Sequence, residues 1–551
     1  MTLATIGGQP VLILKEGTSR TRGEEARRIN FMAAKAVADA VRSTLGPKGM
    51  DKMIIDQLGD ITISNDGATI LDEMDVQHPA AKLMVDLAKA QDHDAGDGTT
   101  TAVVIAGEIL SKAEELLDQG MHPSIIVDGY KKALDRVKEA INEIAFEIDR
   151  EDHETLKKIA ITAMQSKMIH EESDYLAELV IKAAKQVMEE VNGKIKVDID
   201  RVKIVKKQGK SLAESQLING IVLDKEVVHS GMPKRIVDAK IVLLNTPLEI
   251  EKTEYSAEVR ITDPSQIKMF MEEETKLLQE MVDKIASTGA TVVFCQKGID
   301  EIAQHFLAKK GILAARRISE KDMDKLQRAT GARIITNIED LTSNDLGYAG
   351  LVEERKIGED KMIFVEQCKN PKAVTIILRA GAEMIVDEAE RSIHDALCVI
   401  RNILEENKAV YGGGAVEVEL AMKLKEYAKS VGGKEQRAIE AYAEALEGIP
   451  VALAENAGLD TIEILMDLRA EHSKGNTSYG VNVLTGGIDD MKKLGVLETL
   501  RATRHAIEAA TESAIMLIKT DDIIAAKRYE KPKGKEGEEG GEEFSPPSSF
   551  D

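Results

Sequence analysis

Residues 94–110 read Asp-Ala-Gly-Asp-Gly-Thr-Thr-Thr-Ala-Val-Val-Ile-Ala-Gly-Glu-Ile-Leu; Gly96 and Gly98 bracket Asp97, and an apolar helical run begins after three threonines. Glycines allow a tight turn and the close approach of a ligand. The free N–H groups and the positive dipole end of a helix start suit a phosphate. Because Asp97 would repel a phosphate, a hard cation such as Mg2+ between the two would resolve the conflict. The alternative is an ordinary helix start that Asp97 or Thr99 caps.

The composition is typical of a multidomain globular protein. A chain of 551 residues is too long for one core, which predicts about three or four domains. Hydrophobic residues make up 43% of the chain but aromatic residues only 3%, so the cores must consist mainly of aliphatic side chains and methionine. The net charge of −23 disfavours a general nucleic-acid or membrane-surface role, since both partners are anionic.

The cysteines indicate the compartment. Cys295, Cys368 and Cys398 lie far apart in the sequence and form no CxxC pair, so we expect buried thiols in a reducing cytoplasm. No HxxxH or HExxH grouping predicts a zinc site. The apolar run Val11 to Leu14 is too short for a signal peptide, and no stretch approaches the ~18 apolar residues that span a membrane. A cytoplasmic protein is therefore predicted.

Hydrophobic periodicity predicts a helical region at each end of the chain and an α/β region between them. This order indicates a discontinuous domain whose two halves enclose insertions. The predicted helices are 23–45, 80–92, 99–119, 123–147, 154–191 with an interruption at 165–167, 264–286 and 382–406. The predicted strands are 53–55, 61–63, two within 194–207, 241–244, 292–295, 312–315, 334–336 and 373–379.

The helix predicted at 264–286 has the clearest start signal. Asp263 is the expected cap, Pro264 is at the first helical position, and Gln266 closes a capping box. The charged segment before it, 246–261, has no strong period and is interpreted as a protruding excursion from the core. The apolar stripe of this helix is predicted to be Ile267, Phe270, Leu277, Met281 and Ile285.

Other candidate site residues are dispersed, and each has a structural alternative. The Gly46-Pro47-Lys48-Gly49 loop offers N–H groups to a phosphate or simply stops a helix, and Asp66 in Asn-Asp-Gly fits a turn. Asp395 lies off the apolar stripe of its helix, as a solvated residue would. The glycines 412–414 allow close approach of a ligand or form a flexible hinge. With no Walker A loop and no GxGxxG motif, the residues alone predict at most a phosphate and Mg2+ site at Asp97.

Four motifs taken together resemble those of the chaperonins, in the same order and places. The resemblance covers residues from about 10 to about 528 and is closest to the group II chaperonins, the archaeal thermosome and its eukaryotic cytosolic relatives. The motifs are Leu45-Gly46-Pro47-Lys48-Gly49-Met50-Asp51-Lys52-Met53, Asn65-Asp66-Gly67-Ala68-Thr69-Ile70-Leu71, Gly96-Asp97-Gly98-Thr99-Thr100 and Gly412-Gly413-Gly414-Ala415.

This resemblance implies a multidomain α+β and α/β chaperonin fold. A mostly helical, discontinuous equatorial domain, which binds ATP and makes ring contacts, would comprise 1–147 and 405–528. A small intermediate hinge domain would comprise 148–217 and 370–404. An α/β apical domain, 218–369, would bind substrate and carry a helical protrusion, the built-in lid, at about 246–275. Residues 529–551 would be a disordered acidic tail.

The resemblance also implies ATP and Mg2+ as cofactors and assigns roles by matching position. Asp97 would bind Mg2+, and Asp66 and Asp395 would orient and polarise the attacking water as the catalytic pair. Lys167 would sense the terminal phosphate. Gln165 and Thr499 depart from the family, where Thr and Pro are common at these positions. The phosphate-binding residues would be Gly46, Pro47, Gly98, Thr99, Thr100 and Thr101; the adenosine side would be Gly413, Asn482 and Glu498; Leu45, Gly67, Ser166 and Gly412 complete the ATP-binding set.

The implied function is an ATP-dependent chaperone that captures unfolded proteins and encloses them by closing its lid. Its partners would be unfolded clients and itself or paralogous subunits, in two stacked, typically eight- or nine-membered rings. Ile267 and Phe270 would contact clients or pack their own helix. The alternatives are an ATP-binding particle that holds proteins without productive cycling and a metabolic phosphotransferase. The three aspartates favour the folding machine.

Overall fold

The computed structural model describes residues 3–6, 9–12, 19–56, 59–165, 172–250, 264–358, 360–369 and 372–525. The chain forms two compact units, Met1–Ile29 with Thr520–Asp551, and Asn30–Lys519. In the first unit, strand Ser19–Arg22 pairs antiparallel with Asp522–Ala525, and Leu3–Ile6 pairs with Gln9–Leu12. The Nε of Arg20 donates to the Asp522 carboxylate at 2.9 Å, which joins the two ends of the chain in this unit.

The largest hydrophobic core of the second unit is helical and combines residues from both halves of the sequence, such as Ile105, Tyr442 and Ile507. Short strands surround it: Lys52–Ile55 with Ile61–Ser64, Tyr479–Asn482 with Gly487–Asp490, and Phe146–Glu147, Lys408–Tyr411 and Leu497–Thr499. Its helices are the part of Glu24–Arg42 from Asn30 onward, Gly67–Glu73, Pro79–Ala95, Thr99–Asp118, Pro123–Ile144, Ala415–Val431, Gly433–Leu446, Gly448–Asn456, Thr461–Ser473, Met491–Leu494 and Leu500–Lys519.

A second core packs three helices against a small sheet. Strand Val374–Ala380 lies between Gln216–Ile218, to which it is antiparallel, and Val202–Gln208, to which it is parallel. A hairpin of Met188–Val191 and Lys194–Val197 adjoins them. The helices are His153–Met164, Ser173–Val187 and Glu383–Glu406.

The α/β region is a seven-stranded mixed sheet with helices against it. Alternate residues of its strands belong to separate cores on the two faces: Leu243 packs on one face, and Val242 and Leu244 pack on the other. The helices are Pro264–Ser287, Glu301–Lys309 and Glu320–Thr330. The strands in order are Gly220–Leu223, Asp360–Glu366, Gly347–Ile357, Arg235–Leu244, Val292–Cys295 and Leu313–Ala315, with Ile334–Ile335 also on Arg235–Leu244.

The mixed multidomain fold class is confirmed, and so are the buried cysteines, since Cys295, Cys368 and Cys398 are all buried. Burial raises the pKa of the Cys295 thiol to about 11. Several local predictions were wrong. The helix predicted at 154–191 ends at Val187, and Met188–Val191 is a strand. The helix predicted to continue to 147 ends at Ile144. Across the described ranges, no helix is long and apolar enough to cross a membrane.

The helix Pro264–Ser287 has the predicted bounds, but its buried stripe differs. Leu277 is 45% exposed, whereas Leu278 and Val282 are buried together with Ile285. At two positions the buried residue is the one directly after the predicted residue: Leu278 follows Leu277, and Val282 follows Met281. A step of one residue turns the direction of the side chain by about 100° around the helix axis. The cap Asp263, the side chains of Ile267 and Phe270, residues 251–263 of the predicted lid and the acidic tail lie outside the described residues.

Candidate functional site

A cavity of about 370 Å3 lies where the helical core meets the helix that carries Asp395. The fold brings together on its wall most of the residues that the sequence predicted, although they come from seven separate stretches of chain. The predicted residues on the wall are Leu45, Gly46, Pro47, Asp66, Asp97, Gly98, Thr99, Thr100, Thr101, Asp395, Gly413, Asn482 and Glu498.

The helix Thr99–Asp118 begins at this wall. Its N-cap is Gly98, with a φ of +77° and no side-chain cap, so the alternative in which Asp97 or Thr99 caps the helix was wrong. The Asp97 carboxylate instead accepts a hydrogen bond from the N–H of Gly98 at 2.7 Å. A long helix whose first turn is free of side-chain caps presents N–H donors and a positive dipole end to the cavity. This end of the cavity is suited to an anion.

Asp66 begins a helix rather than closing a turn, which corrects the alternative from the sequence. It caps Gly67–Glu73, where its Oδ2 accepts from the N–H of Thr69 at 2.9 Å and from its Oγ1 at 2.8 Å. The Thr99 hydroxyl donates to its Oδ1 at 3.3 Å. Gly67 does not line the cavity; a Cβ there would lie 2.6 Å from the Thr100 hydroxyl, so glycine allows the two helix starts to meet.

Asp395 is on the helix Glu383–Glu406 and is only 9% exposed. The interpretation of Asp395 as a solvated surface residue was therefore wrong. Its side chain reaches the same cavity as Asp66 and Asp97, although the three are far apart in sequence. The helical pattern could not reveal this, because a position off the apolar stripe faces either solvent or another part of the fold.

The cavity is strongly acidic. Among its described lining residues there is no Lys, Arg or His. Burial raises the pKa of Glu417 and, together with repulsion from Glu417 and Asp97, that of Glu498. Because carboxylates that share one wall repel one another, such a site favours a bound cation. The five carboxyl groups on the wall are those of Asp66, Asp97, Asp395, Glu417 and Glu498.

The end of the cavity remote from the helix start is apolar. Asn482 stands at its edge, where its Oδ1 accepts from the N–H groups of Leu484 and Thr485 at 3.1 and 3.2 Å. The Thr503 hydroxyl donates to Glu498 at 3.3 Å. An apolar pocket with a few fixed polar groups suits a planar organic group. Its apolar residues include Ile449, Leu453, Val481, Met491, Leu494, Val496 and Ala506.

Like Gly67, Gly412 is a predicted residue that does not line the cavity. Gly412 lies behind it, where a Cβ would lie 2.8 Å from the Glu498 Oε1. Ser166 and Lys167 lie outside the described residues, although the neighbouring Gln165 lines the cavity. Thr499, which stands where the family commonly has Pro, has a structural role. It is buried, and its hydroxyl accepts from the Ala502 N–H at 3.3 Å.

Glu417 is the functional candidate that sequence reasoning missed. It lies in the first turn of Ala415–Val431, just after the glycine run, and is 3% exposed. An acidic residue in a first helical turn normally looks like a favourable dipole contact on the surface. Its proximity to Gly412–Gly414 was the only sequence signal.

The described residues contain no cluster of three His, Cys, Asp or Glu arranged to hold a metal, so a cation here would need further oxygen ligands.

Known proteins share this chain's sequence nearly from end to end. The TCP-1/cpn60 chaperonin family matches residues 37–528. The thermosome subunit alpha of Archaeoglobus fulgidus is 58% identical over 543 residues, which cover 98% of this chain and 100% of that protein. The thermosome subunit of Pyrococcus horikoshii is 58% identical over 551 residues, 100% of both chains. That of Methanopyrus kandleri is 56% identical over 531 residues, 96% of this chain and 97% of its own.

Proposed function

The chain belongs to the TCP-1/cpn60 chaperonin family and is a chaperone of the group II type, and on this premise we propose that it hydrolyses ATP with Mg2+ in the cavity. The observation that carries the proposal is the pairing of an uncapped helix start with three aspartates on one wall. A helix start alone would favour any anion, and aspartates alone any cation. Their combination fits a phosphate chain that brings its own metal.

The phosphates would lie against residues 98–101 and the Gly46-Pro47 loop. The donor set fits Mg2+, because carboxylate and phosphate oxygens are its preferred ligands and Asp97 stands beside the phosphate-binding turn. When bound, Mg2+ would neutralise charge that develops on the phosphate oxygens. The acidic wall explains why nucleotide without metal would bind poorly.

Asp66 and Asp395 would orient the attacking water and accept its proton. The hydrogen bonds from Thr69 to one oxygen of Asp66 hold that carboxylate in place. Phosphoryl transfer depends mainly on such positioning, since there is little covalent chemistry for the protein to perform. Gly413, Asn482 and Glu498 would hold the adenosine, with the base in the apolar end of the cavity.

The experiment that tests the nucleotide site is Asp97→Ala in the full-length chain, assayed for ATP affinity across a Mg2+ titration. We expect Mg2+ to stop improving ATP affinity in the variant. The matched control is Asp128→Ala, an exposed aspartate on Pro123–Ile144 outside the cavity. An unchanged Mg2+ dependence in Asp97→Ala would overturn the metal assignment.

The whole protein would work as a subunit of two stacked rings that enclose unfolded clients. We assign the equatorial domain to 1–147 and 405–528, the intermediate domain to 148–217 and 370–404, and the apical domain with its lid at about 246–275 to 218–369. Three main packing regions within 30–519 support this division. The cytoplasmic location predicted from the sequence stays a prediction.

Protease protection of a bound, denatured client distinguishes the folding machine from the holding particle. Protection that appears only with ATP is the expected result, because closure must follow the nucleotide. A client that binds but is cleaved equally with and without ATP would favour a holding particle and would contradict the lid assignment.

A further inference from the structure

Two contacts fasten the helix Glu383–Glu406 at equal sequence distances on either side of Asp395. Glu388 lies seven residues before Asp395 and Asn402 seven residues after it. Seven residues are close to two helical turns, so the three side chains share one face, with about 10 Å of helix between successive members. Both flanking residues are buried, at 2% and 1% exposure.

Asn402 holds the end of the helix Pro79–Ala95, just before Gly96 and Asp97. Its Nδ2 donates to the carbonyl oxygen of Ala95 at 2.9 Å. Its Oδ1 accepts from the guanidinium of Arg401 at 3.1 Å, and the same Nη2 of Arg401 donates to the carbonyl oxygen of Asp94 at 2.8 Å. Two consecutive carbonyls at the end of the helix Pro79–Ala95 are therefore tied to the helix Glu383–Glu406, immediately before Gly96 and Asp97.

Gly96, which follows Ala95, allows the helix Glu383–Glu406 to lie directly against the chain at this point. Its φ is +69°, and a Cβ there would overlap the side chain of Cys398. Cys398 is one turn before Asn402 on the same face of the helix. Burial raises the pKa of its thiol to about 12, as expected for a tightly enclosed contact.

Glu388 makes the corresponding contact on the other side, with the segment that leads to Asp66. The Ser64 hydroxyl donates to its Oε2 at 3.2 Å, and the same hydroxyl accepts from the N–H of Asp66 at 3.1 Å. Arg391 donates to the Glu388 carboxylate at 2.7 Å, which fixes its orientation. The chain of hydrogen bonds from Glu388 thus ends at the backbone of Asp66.

We propose that Glu388 and Asn402 are positioning residues that hold Asp395 in register with Asp66 and Asp97. The inference rests on the proposed ATP hydrolysis in this cavity. Neither residue lines the cavity. Their loss therefore changes the placement of Asp395 relative to Asp66 and Asp97 and removes no side chain that lines the cavity. The expected signature is a lower kcat with unchanged ATP affinity.

The first test is Asn402→Ala in the full-length protein. We expect kcat for ATP to fall roughly 10- to 100-fold, the cost of misplacing a reacting group by about 1 Å, with the Kd for ATP unchanged. The control is Gln304→Ala, which removes another buried amide that donates to a backbone carbonyl, that of Ile299 at 2.7 Å, in the α/β region. The control should lose comparable stability and keep its kcat.

The second test compares two changes at Glu388. Glu388→Gln retains an oxygen that accepts from Ser64 and should keep most of the kcat, whereas Glu388→Ala should lower kcat as Asn402→Ala does. A kcat unchanged in both alanine variants, or a loss confined to ATP affinity, would overturn the inference.

Amide hydrogen exchange at residues 94–98 separates this inference from the proposed function. Faster exchange in Asn402→Ala, measured without ATP, supports the positioning role of Asn402. Unchanged exchange overturns that role. A wild-type protein that hydrolyses no ATP would instead defeat the proposed function, whatever the exchange measurement gives.

Discussion

Glu447 and Glu417 are two buried glutamates of the same helical core, and they are treated in opposite ways. Glu447 is 2% exposed and accepts hydrogen bonds from Lys425 at 2.8 Å and from Arg469 at 2.7 Å. Glu417 is 3% exposed, faces the cavity and has no ion pair with any described residue. The carboxylate that only supports the fold is neutralised by the protein itself.

This difference teaches how to separate structural acids from functional ones. Burying a carboxylate without a cation is unfavourable, so such a group persists where a ligand compensates it or where it keeps its proton. Glu417 and Glu498, the buried carboxyl groups of the cavity whose pKa values are raised, belong to this second class. Measured effects on activity and on stability should therefore separate the two classes.

The largest effect is expected for Asp395→Ala, measured as ATP turnover. Turnover should fall at least about 100-fold, because a positioned proton acceptor contributes on this scale or more, while ATP binding remains. Unchanged turnover would place Asp395 with the structural acids.

The next largest effect is expected for Glu447→Ala, measured as the free energy of unfolding. It should fall by about 2 kcal/mol, toward the lower end for a broken buried pair because Lys425 and Arg469 remain about a third exposed. Activity per folded molecule should be retained. A variant that is stable but inactive would show that Glu447 belongs with the cavity acids.

A smaller effect concerns the pH dependence of stability without nucleotide. The pKa values of Glu417 and Glu498 are raised in the folded protein, so it binds more protons than the unfolded chain once pH exceeds the ordinary carboxyl range. The unfolding free energy should therefore decline as pH rises through roughly 5 to 8. Glu417→Gln, which cannot ionise, should make this decline smaller. Urea unfolding of both proteins at several pH values measures the decline. An equal or steeper decline in Glu417→Gln would contradict the prediction.

The smallest effect is expected at the surface. Lys132 forms an ion pair with Glu435, and both side chains are substantially exposed. Lys132→Ala should change the unfolding free energy by less than about 0.5 kcal/mol, because solvent screens such pairs. A thermal unfolding curve that shifts as far as that of Glu447→Ala would remove the distinction between paired buried acids and ordinary surface charges.

The sequence predicted what short stretches encode. The glycines and threonines around Asp97 and the apolar period after them were sufficient to locate the start of Thr99–Asp118. The hairpin strands Lys52–Ile55 and Ile61–Ser64 also follow from local alternation. The chaperonin resemblance then supplied the arrangement of these pieces, which no local pattern contains.

The rest depended on contacts between distant parts of the chain. Asp395 looked solvated because its burial comes from the cavity and not from its own helix. Met188–Val191 carries good helix formers, yet it pairs with Lys194–Val197 as a strand, so tertiary context overrode propensity. Glu417 was missed because a glutamate in a first helical turn is unremarkable in sequence.

The small sheet of the second core also determines how the α/β region is attached. The chain leaves this sheet at Ile218 and returns beside it, with Ile218 paired to Thr375 across antiparallel strands. The Thr375 hydroxyl donates to the carbonyl of Gly220 at 3.0 Å and accepts from the N–H of Val222 at 3.1 Å. These two hydrogen bonds hold the segment that leaves the sheet against the strand that returns to it. The α/β region between Ile218 and Thr375 can therefore be exchanged as one unit. A tight turn could replace it, or another domain whose termini lie close together could be inserted in its place.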